Sequence, residues 1–265
     1  MNRLLLLILL FLVSCKGNST QIAKMEAISY HAQKDHVTSD LLAGIQHKID
    51  TAFIQSMISN DVQALSEWSN RLLDLNKSKE QNLIAYWQSY LQYYLSIYYL
   101  VKGDEEQAET ETDKGISWMN ALENKNSEDY ALLAMLQSFS IQFKGMRAMF
   151  ISAEAKRNIE KALAIDSGNL RAHYVYASID FYTPEKYGGG KEAEDYLLQA
   201  ISLPSQRVPN EYLPSWGKEE SYEMLIKFYI KKEKWDLAKK YFQEGIKEFP
   251  ESHNIKQLAT QLIGK

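Results

Sequence analysis

The sequence has little cysteine, proline and glycine, and each scarcity excludes a class of protein. One cysteine among 265 residues excludes a disulfide framework and a cysteine-rich zinc site. Five prolines and 12 glycines are too few for an all-β chain of short strands and turns. The 30 basic and 34 acidic residues give a net charge of −4, which argues against a nucleic-acid partner. The remaining balance, 45% apolar and 24% charged, is that of a globular protein.

A continuous apolar run lies at the N-terminus. Residues 4–13 are all apolar, a run too short for a membrane-spanning helix of about 20 residues but suited to the core of a signal peptide. The run ends just before Ser14 and Cys15, the single cysteine. This pattern resembles the lipobox of bacterial lipoproteins, and the resemblance implies that Cys15 becomes the N-terminus and carries fatty acids such as palmitate. The alternative is an ordinary signal peptide followed by an unrelated cysteine.

The leader divides the chain into three parts. We predict a signal peptide over residues 1–14, a lipidated N-terminus and polar tether over residues 15–37, and a folded domain over residues 38–265. Lys16 follows the cysteine, whereas lipoproteins held at the inner membrane often have aspartate there, so the resemblance favours the outer membrane. The lipid anchor is the only membrane contact predicted, and the membrane face toward which the domain projects is left open.

From about residue 38 onward the sequence predicts helices. Apolar residues recur at spacings of three and four, as in Tyr222, Leu225, Phe228 and Tyr229, which is the period of an amphipathic helix. No stretch alternates convincingly between apolar and polar residues, so strands are not expected. Short polar pieces interrupt the pattern at residues 59–61, 76–78, 102–104, 124–126 and 166–169. Several of them place Asp, Asn or Ser where a side-chain oxygen caps the next helix.

The clearest internal repeat occupies residues 219–252. Its diagnostic residues are Tyr222, Leu225, Tyr229, Ala238, Phe242 and Pro250. This order of a large residue, Leu, Tyr, a small Ala, an aromatic and a closing Pro resembles the tetratricopeptide repeat (TPR), whose unit is a helix pair. In such a pair Ala238 must be small where the two helices cross, while Tyr229 and Phe242 fill the wedge between them.

Weaker copies of the unit precede it. The alanines that mark the second helix of each copy are Ala64, Ala108, Ala155, Ala193 and Ala238. They are 44, 47, 38 and 45 residues apart, whereas a regular TPR repeats about every 34 residues, so we expect longer helices and inserted loops. The predicted fold is all-α: a right-handed α-solenoid of about five TPR-like antiparallel helix pairs plus a C-terminal capping helix at residues 252–264.

The sequence contains no motif that predicts catalysis, a cofactor or a metal. The glycines at residues 188–190, followed by Lys191, lack the spacing of a phosphate-binding loop, so we interpret them as a turn between two helices. The five histidines show no helical pairing suited to metal binding. The acidic residues within 104–111 are typical of a solvated helix start. By elimination we predict that the chain is not an enzyme.

An aromatic stripe over residues 86–99 is one candidate binding surface. Its tyrosines recur at four-residue steps along one helix face, and tyrosine offers contact area at low entropy cost. We therefore single out Tyr86, Tyr90 and Tyr93 as candidates for the concave face on which TPR-like repeats bind peptides. The alternative is that the stripe is core, because both sides of a stacked helix are covered.

A second candidate surface is the segment 182–216, which contains four of the five prolines. It lacks helical periodicity from residue 202 to 215 and is long for a link between packed helices, which usually takes about 2–8 residues. Its candidate partner-binding residues are Tyr187, Tyr212 and Trp216. The alternative is that Tyr212 and Trp216 only hold this loop onto its own repeat.

Taken together, these features predict a membrane-anchored TPR-like lipoprotein of the bacterial envelope. The expected function is protein–protein interaction or scaffolding, with a protein or peptide partner and without nucleic acid. Two alternatives remain open. One is an accessory subunit of a solute transporter with a ligand pocket inside the superhelix, and the other is a component of outer-membrane assembly. A closed aromatic-lined pocket would favour the transporter subunit over an open groove.

Overall fold

A computed structural model describes residues 41–78 and 82–265. The predicted signal peptide, Cys15 and the predicted tether lie outside the described residues, as does the predicted domain start at residue 38. Contacts between Cα atoms divide the chain into two units, residues 1–42 and residues 43–265. The larger unit contains every helix discussed below.

Within the described residues the secondary structure is helical, with no strand. Five helix pairs follow one another: α1 (Ile45–Ser59) with α2 (Gln63–Ser78), α3 (Asn82–Val101) with α4 (Glu105–Ala121), α5 (Ser127–Ser140) with α6 (Ala148–Ile165), α7 (Leu170–Tyr182) with α8 (Ala193–Ser202), and α9 (Lys218–Lys231) with α10 (Trp235–Glu248). Two short helices, α11 (His253–Gln257) and α12 (Ala259–Leu262), end the chain. The predicted all-α solenoid is confirmed.

Polar side chains start several helices at the predicted breaks. The Asp104 carboxylate accepts a hydrogen bond from the Gln107 N–H at 3.0 Å, and the Asn169 side chain accepts one from the Ala172 N–H at 2.9 Å. Such caps satisfy N–H groups that have no partner inside the helix. The predicted break at residues 76–78 is wrong, since α2 continues to Ser78; polar residues are tolerated in a last helical turn, where the carbonyls need no intrahelical partner.

The odd-numbered helices form the inner layer of the solenoid. Each helix packs against its pair mate, and each of α1, α3, α5 and α7 also packs against the next odd-numbered helix. The even-numbered helices do not pack closely on one another. When successive helix pairs lie closer together on one side of a stack, the stack curves toward that side. The odd-numbered helices therefore line a concave inner face.

The residues of the C-terminal repeat lie in the core around α9 and α10. Leu225 and Ala238 are fully buried and Tyr229 nearly so, while Phe242 packs from the edge of the same cluster. Tyr222 is buried beside the end of the chain, and Pro250 is exposed just after α10. The marker alanines of two earlier copies, Ala155 and Ala193, are also fully buried.

Replacing Ala238 by leucine should lower the free energy of unfolding by about 1–3 kcal/mol, because the larger side chain overfills a close-packed helix crossing. Thermal unfolding measures the change, at about 2–4 °C per kcal/mol for a domain of this size. Ala164→Leu is the matched control, since Ala164 is exposed on α6. An unchanged melting temperature for Ala238→Leu would show that the register of the last repeat is wrong.

Two predicted features differ in detail from the structure. The capping helix is broken at Leu258 into α11 and α12, and its residues Ile255 and Leu258 cover the apolar end of the stack. Of the acidic residues within 104–111, those at the helix start are exposed as expected, whereas Glu109 is half-buried and Glu111 is buried. The Glu111 carboxylate accepts from the Lys114 ammonium at 2.8 Å and from the Gln107 side chain at 2.7 Å, so its charge is stabilised by neighbours on its own helix.

The turn with three consecutive glycines has a steric cause. A Cβ atom on Gly189 would lie 1.9 Å from the carbonyl oxygen of Thr183, a distance no side chain tolerates. Gly188 and Gly190 have φ angles of 93° and 74°, in the left-handed region that favours glycine. The Asp180 carboxylate then accepts from the Ala193 N–H at 2.8 Å and fixes the start of α8. These contacts support the interpretation as a turn.

Candidate functional site

The long connection between α8 and α9, residues 203–217, returns to the start of the domain; we call it the crossing loop. The Gly44 N–H donates to the Glu211 carbonyl at 3.0 Å, and the Ser215 N–H donates to the Gln46 side-chain oxygen at 2.7 Å. The indole N–H of Trp87 donates to the Tyr212 carbonyl at 2.9 Å. The fourth and fifth helix pairs are thereby joined to the first and second.

Trp216 is the central side chain of the crossing loop. Its indole N–H donates to the Tyr86 hydroxyl at 2.9 Å, and its ring centroid lies 6.2 Å from those of Tyr90 and Tyr174. Its carbonyl accepts from the Arg171 guanidinium at 3.1 Å. Only 4% of Trp216 is exposed, so it packs as a core residue between α3 and α7.

Arg171 extends this contact set to α5. Its guanidinium is buried and forms a two-point ion pair with Glu128, with one N–O distance of 2.6 Å. Four of the residues in these contacts lie within the first five residues of their helices: Gln46, Tyr86, Glu128 and Arg171. Trp216 directly precedes Gly217 and α9. The five inner helices therefore meet at their N-terminal ends around the crossing loop, which closes that end of the concave face.

Aromatic rings line the wall of the concave face. Ring centroids are 4.9 Å apart for Phe53 and Tyr94, 5.7 Å for Tyr94 and Tyr93, and 5.0 Å for Tyr93 and Phe139. This continuous row crosses α1, α3 and α5. We call the concave face and its closed end the cup, lined by Asp50, Phe53, Tyr93, Tyr94, Phe139, Tyr174 and Glu220.

Two carboxyl groups come from the first and last inner helices. Burial raises the pKa of Asp50 to about 6, although hydrogen bonds from Tyr94 and Tyr90 oppose the shift. Burial likewise raises the pKa of Glu220 to about 7, even though its carboxylate accepts from the Gly217 N–H at 2.7 Å. Both carboxyl groups consequently change charge close to neutral pH.

The tyrosines around these acids remain hydroxyl donors. Burial and the nearby charge of Glu220 raise the pKa of Tyr93 and Tyr174, so neither ionises at neutral pH. Among the described residues neither Asp50 nor Glu220 forms an ion pair with a lysine or arginine. Chemically, the cup combines aromatic faces, neutral hydroxyl groups and two acids without a paired cation.

The sequence-predicted binding residues fall into different places. Tyr86, Tyr90 and Trp216 meet at the closed end of the cup, and all three are buried, which fits the alternative roles as core and as pins. The crossing loop is held to the first two helix pairs, however, and not only to its own repeat. Tyr93 lies in the wall of the cup. Tyr212 is half-buried beside the closed end.

Tyr187 lies apart from the other candidates. It stands on the turn between α7 and α8, where 72% of its surface is exposed. Its role as a partner-binding residue stays a prediction.

Sequence reasoning missed the two acids of the cup. Glu220 carries one recognisable signal, an acid at the third residue of a helix, where it caps the preceding N–H. Asp50 resembles any surface acid of an amphipathic helix. Only the fold brings residues of α1 and α9 to one face, so no spacing along the chain predicts their shared environment.

A second concavity opens between α1 and α2. Its wall includes His47, Lys48, Glu67 and Trp68. The Trp68 ring has Lys48 at 5.7 Å and Arg71 at 4.9 Å from its centre. Across residues 41–78 and 82–265 no three metal-ligating side chains form a cluster. The cup remains the stronger candidate site, because it joins aromatic rings and acids from several helix pairs.

Comparison with solved structures identifies the architecture. A thermophilic TPR protein of Thermus thermophilus has a TM-score of 0.51 at 13% sequence identity, covering 81% of this chain and 99% of that chain. The chain has a TPR-like fold. YrrB, a TPR protein with an unusual peptide-binding site, has a TM-score of 0.38 at 12% identity, covering 78% of this chain and 97% of its own. No family model and no curated protein matches the sequence.

The TPR-like helices are not membrane spans. None of those within residues 41–78 and 82–265 combines the length and apolar character needed to cross a bilayer.

Proposed function

We propose that this TPR-like chain is an interaction module of the bacterial envelope and that its cup binds a segment of a partner protein. The observation that carries the proposal is the row of aromatic rings across three inner helices, closed at one end by the crossing loop. Aromatic side chains held rigidly by a scaffold provide contact area without a large loss of side-chain entropy.

The charges of the cup favour a partner segment that contains lysine or arginine. Within the described residues neither Asp50 nor Glu220 forms an ion pair with lysine or arginine; Arg171, whose charge Glu220 influences, is paired with Glu128. A bound cation supplies a direct partner. Tyrosine faces also attract cations. The desolvation free energy of the two buried carboxylates is offset when a cation pairs with them. The ionised forms of Asp50 and Glu220 therefore favour binding of a basic segment.

The envelope location is the second element of the proposal. The apolar run at residues 4–13, followed by Ser14 and Cys15, supports lipidation of Cys15 and a tether over residues 15–37. Acyl chains contribute about 0.8 kcal/mol of membrane binding per buried CH₂ group, so several chains hold the domain firmly. The lysine after the cysteine supports the outer membrane.

Peptide arrays test the binding proposal. The probes are synthetic peptides matched in length and differing in their number of lysines and arginines. We expect the lysine-rich and arginine-rich peptides to bind best, and binding to strengthen at least about tenfold between about pH 5 and pH 8. The sign follows from linkage: a cation binds the ionised carboxylates, and Asp50 and Glu220 ionise as pH rises through about 6 and 7.

The isosteric variants Asp50→Asn and Glu220→Gln keep a hydrogen-bond acceptor and remove the charge. Together they should abolish both the preference for basic peptides and the pH dependence, without loss of the melting temperature. Glu219→Gln is the matched control from the same turn of α9. Equal binding of acidic and basic peptides by the wild-type chain would contradict the proposal.

The closed end of the cup favours one second candidate, the accessory subunit of a solute transporter. The crossing loop accepts hydrogen bonds from Gly44 and Trp87 and so covers one end of the concave face, and a face closed at one end suits a small ligand better than a long peptide. A short free cation such as an arginine amide discriminates between the two functions. It should compete with peptides only weakly if the cup binds a protein segment, and about as well as a full peptide if the cup binds solutes.

A further inference from the structure

One edge of the solenoid collects the turns inside the helix pairs. In antiparallel pairs, the C-terminal ends of the inner helices and the N-terminal ends of the outer helices lie at the same edge. This edge is opposite the crossing loop, which joins the N-terminal ends of the inner helices. It therefore surrounds the open mouth of the cup.

Most of the large apolar side chains that are exposed among the described residues lie on this edge. They are Ile54, Ile58, Val101, Met146, Met149, Phe150, Tyr182 and Tyr187. The exposed fractions are 98% for Met146, 73% for Met149 and 70% for Phe150 on the turn of the third pair, and 72% for Tyr187 on the turn of the fourth pair. Apolar residues exposed together in this way mark an interaction surface.

Basic residues accompany the apolar ones on these two turns. Arg147 lies between Met146 and Met149, and Lys186 lies 4.9 Å from the centre of the Tyr187 ring. The nearby acid Glu185 is neutralised by Lys232 at 2.8 Å. We call Met146, Arg147, Met149, Phe150, Lys186 and Tyr187 the rim patch; its exposed charge is positive.

We propose that the rim patch binds the surface of a lipid bilayer that contains anionic headgroups. Its apolar side chains stand on the tips of turns and do not line a groove. A folded protein partner needs a complementary shape, whereas the interface of a bilayer accepts protruding apolar tips flanked by arginine and lysine. The two turns of the patch belong to neighbouring helix pairs and lie on the same edge of the solenoid.

This inference deepens the proposed membrane anchoring. A tethered domain meets the bilayer at a high effective concentration, so a weak patch suffices to orient it. The patch surrounds the mouth of the cup, and its binding would direct the mouth toward the membrane.

Co-sedimentation with vesicles tests the rim patch. The protein is the chain from residue 15 onward with Cys15→Ser, which carries no acyl chain, so the result is independent of the anchor. The probes are vesicles of phosphatidylethanolamine with phosphatidylglycerol, and vesicles of phosphatidylcholine alone. We expect binding to the anionic vesicles, weakened by added salt, and little binding to the neutral ones.

The triple variant Met146→Ser, Met149→Ser, Phe150→Ser should bind the anionic vesicles at least about fivefold more weakly, and Arg147→Glu should also weaken binding. Val208→Ser is the matched control, since Val208 is 73% exposed on the crossing loop. Unchanged melting temperatures verify folding. Failure of the wild-type protein to bind either vesicle, or equal binding by the triple variant, would overturn the proposal. A lipidated chain could still be membrane-anchored in that case.

Discussion

Replacing Trp216 by alanine should lower the free energy of unfolding by about 3–5 kcal/mol, the usual cost of removing a buried tryptophan. For a domain of this size that corresponds to a fall of about 6–20 °C in melting temperature. The reason is the position of Trp216, whose indole and carbonyl contact Tyr86 and Arg171 at the start of two inner helices. Its removal leaves a cavity where the inner helices meet.

Two controls separate the contributions. Trp216→Phe keeps an aromatic ring and removes the hydrogen bond to Tyr86, so a loss of about 1 kcal/mol is expected from that bond. Tyr187→Ala removes a similarly large but exposed side chain and should change stability by less than about 0.5 kcal/mol. Chemical denaturation followed by circular dichroism measures all three variants.

A stable Trp216→Ala variant would contradict the structural role of the crossing loop. The prediction that Trp216 binds a partner would then stand. If Trp216→Ala is strongly destabilised and Tyr187→Ala is not, two candidate partner-binding residues remain in the segment 182–216: the exposed Tyr187 and the half-buried Tyr212.

The helix pairs could be predicted because their signals are local. Ala108, Ala155, Ala193 and Ala238 are each fully buried, and the spacing between small and large residues on one helix is enough to predict such positions. The less regular copies keep this spacing but have other residues at some of the positions. Thr112 follows Ala108 by four residues, the spacing at which the aromatic Phe242 follows Ala238. Its hydroxyl lies 2.6 Å from the Ser96 hydroxyl, an internal hydrogen bond between α3 and α4.

The closure of the cup could not be predicted, because its contacts join distant parts of the chain. Trp216 and Tyr86 are 130 residues apart, and Ser215 and Gln46 are 169 apart. The sequence offered Tyr212 and Trp216 as residues that hold the loop onto its own repeat, but no periodicity along the chain predicts a contact with residues so far away. The aromatic residues of 86–99 were the one further signal in the sequence, since a helix with apolar side chains on several sides is covered by neighbours on several sides.

Replacing Cys15 by alanine should leave the protein without acyl chains. The predicted lipid anchor depends on the thiol of Cys15, because acylation and cleavage occur at that residue in the lipoproteins that the leader resembles. Without acyl chains, a single short tether supplies no comparable binding. Partition between detergent and aqueous phases measures the change, and the mass of the N-terminal peptide reports the acyl groups directly.

Ser14→Ala is the matched control, since it keeps a small residue before Cys15 and should remain lipidated. The mass measurement also covers an uncleaved Cys15→Ala protein, whose apolar residues 4–13 could retain it in the detergent phase without any acyl chain. Wild-type protein must carry the added mass of fatty acids on Cys15, and the variant must lack it. A wild-type N-terminal peptide that starts elsewhere, or that starts at Cys15 without added mass, would show that the leader is an ordinary signal peptide.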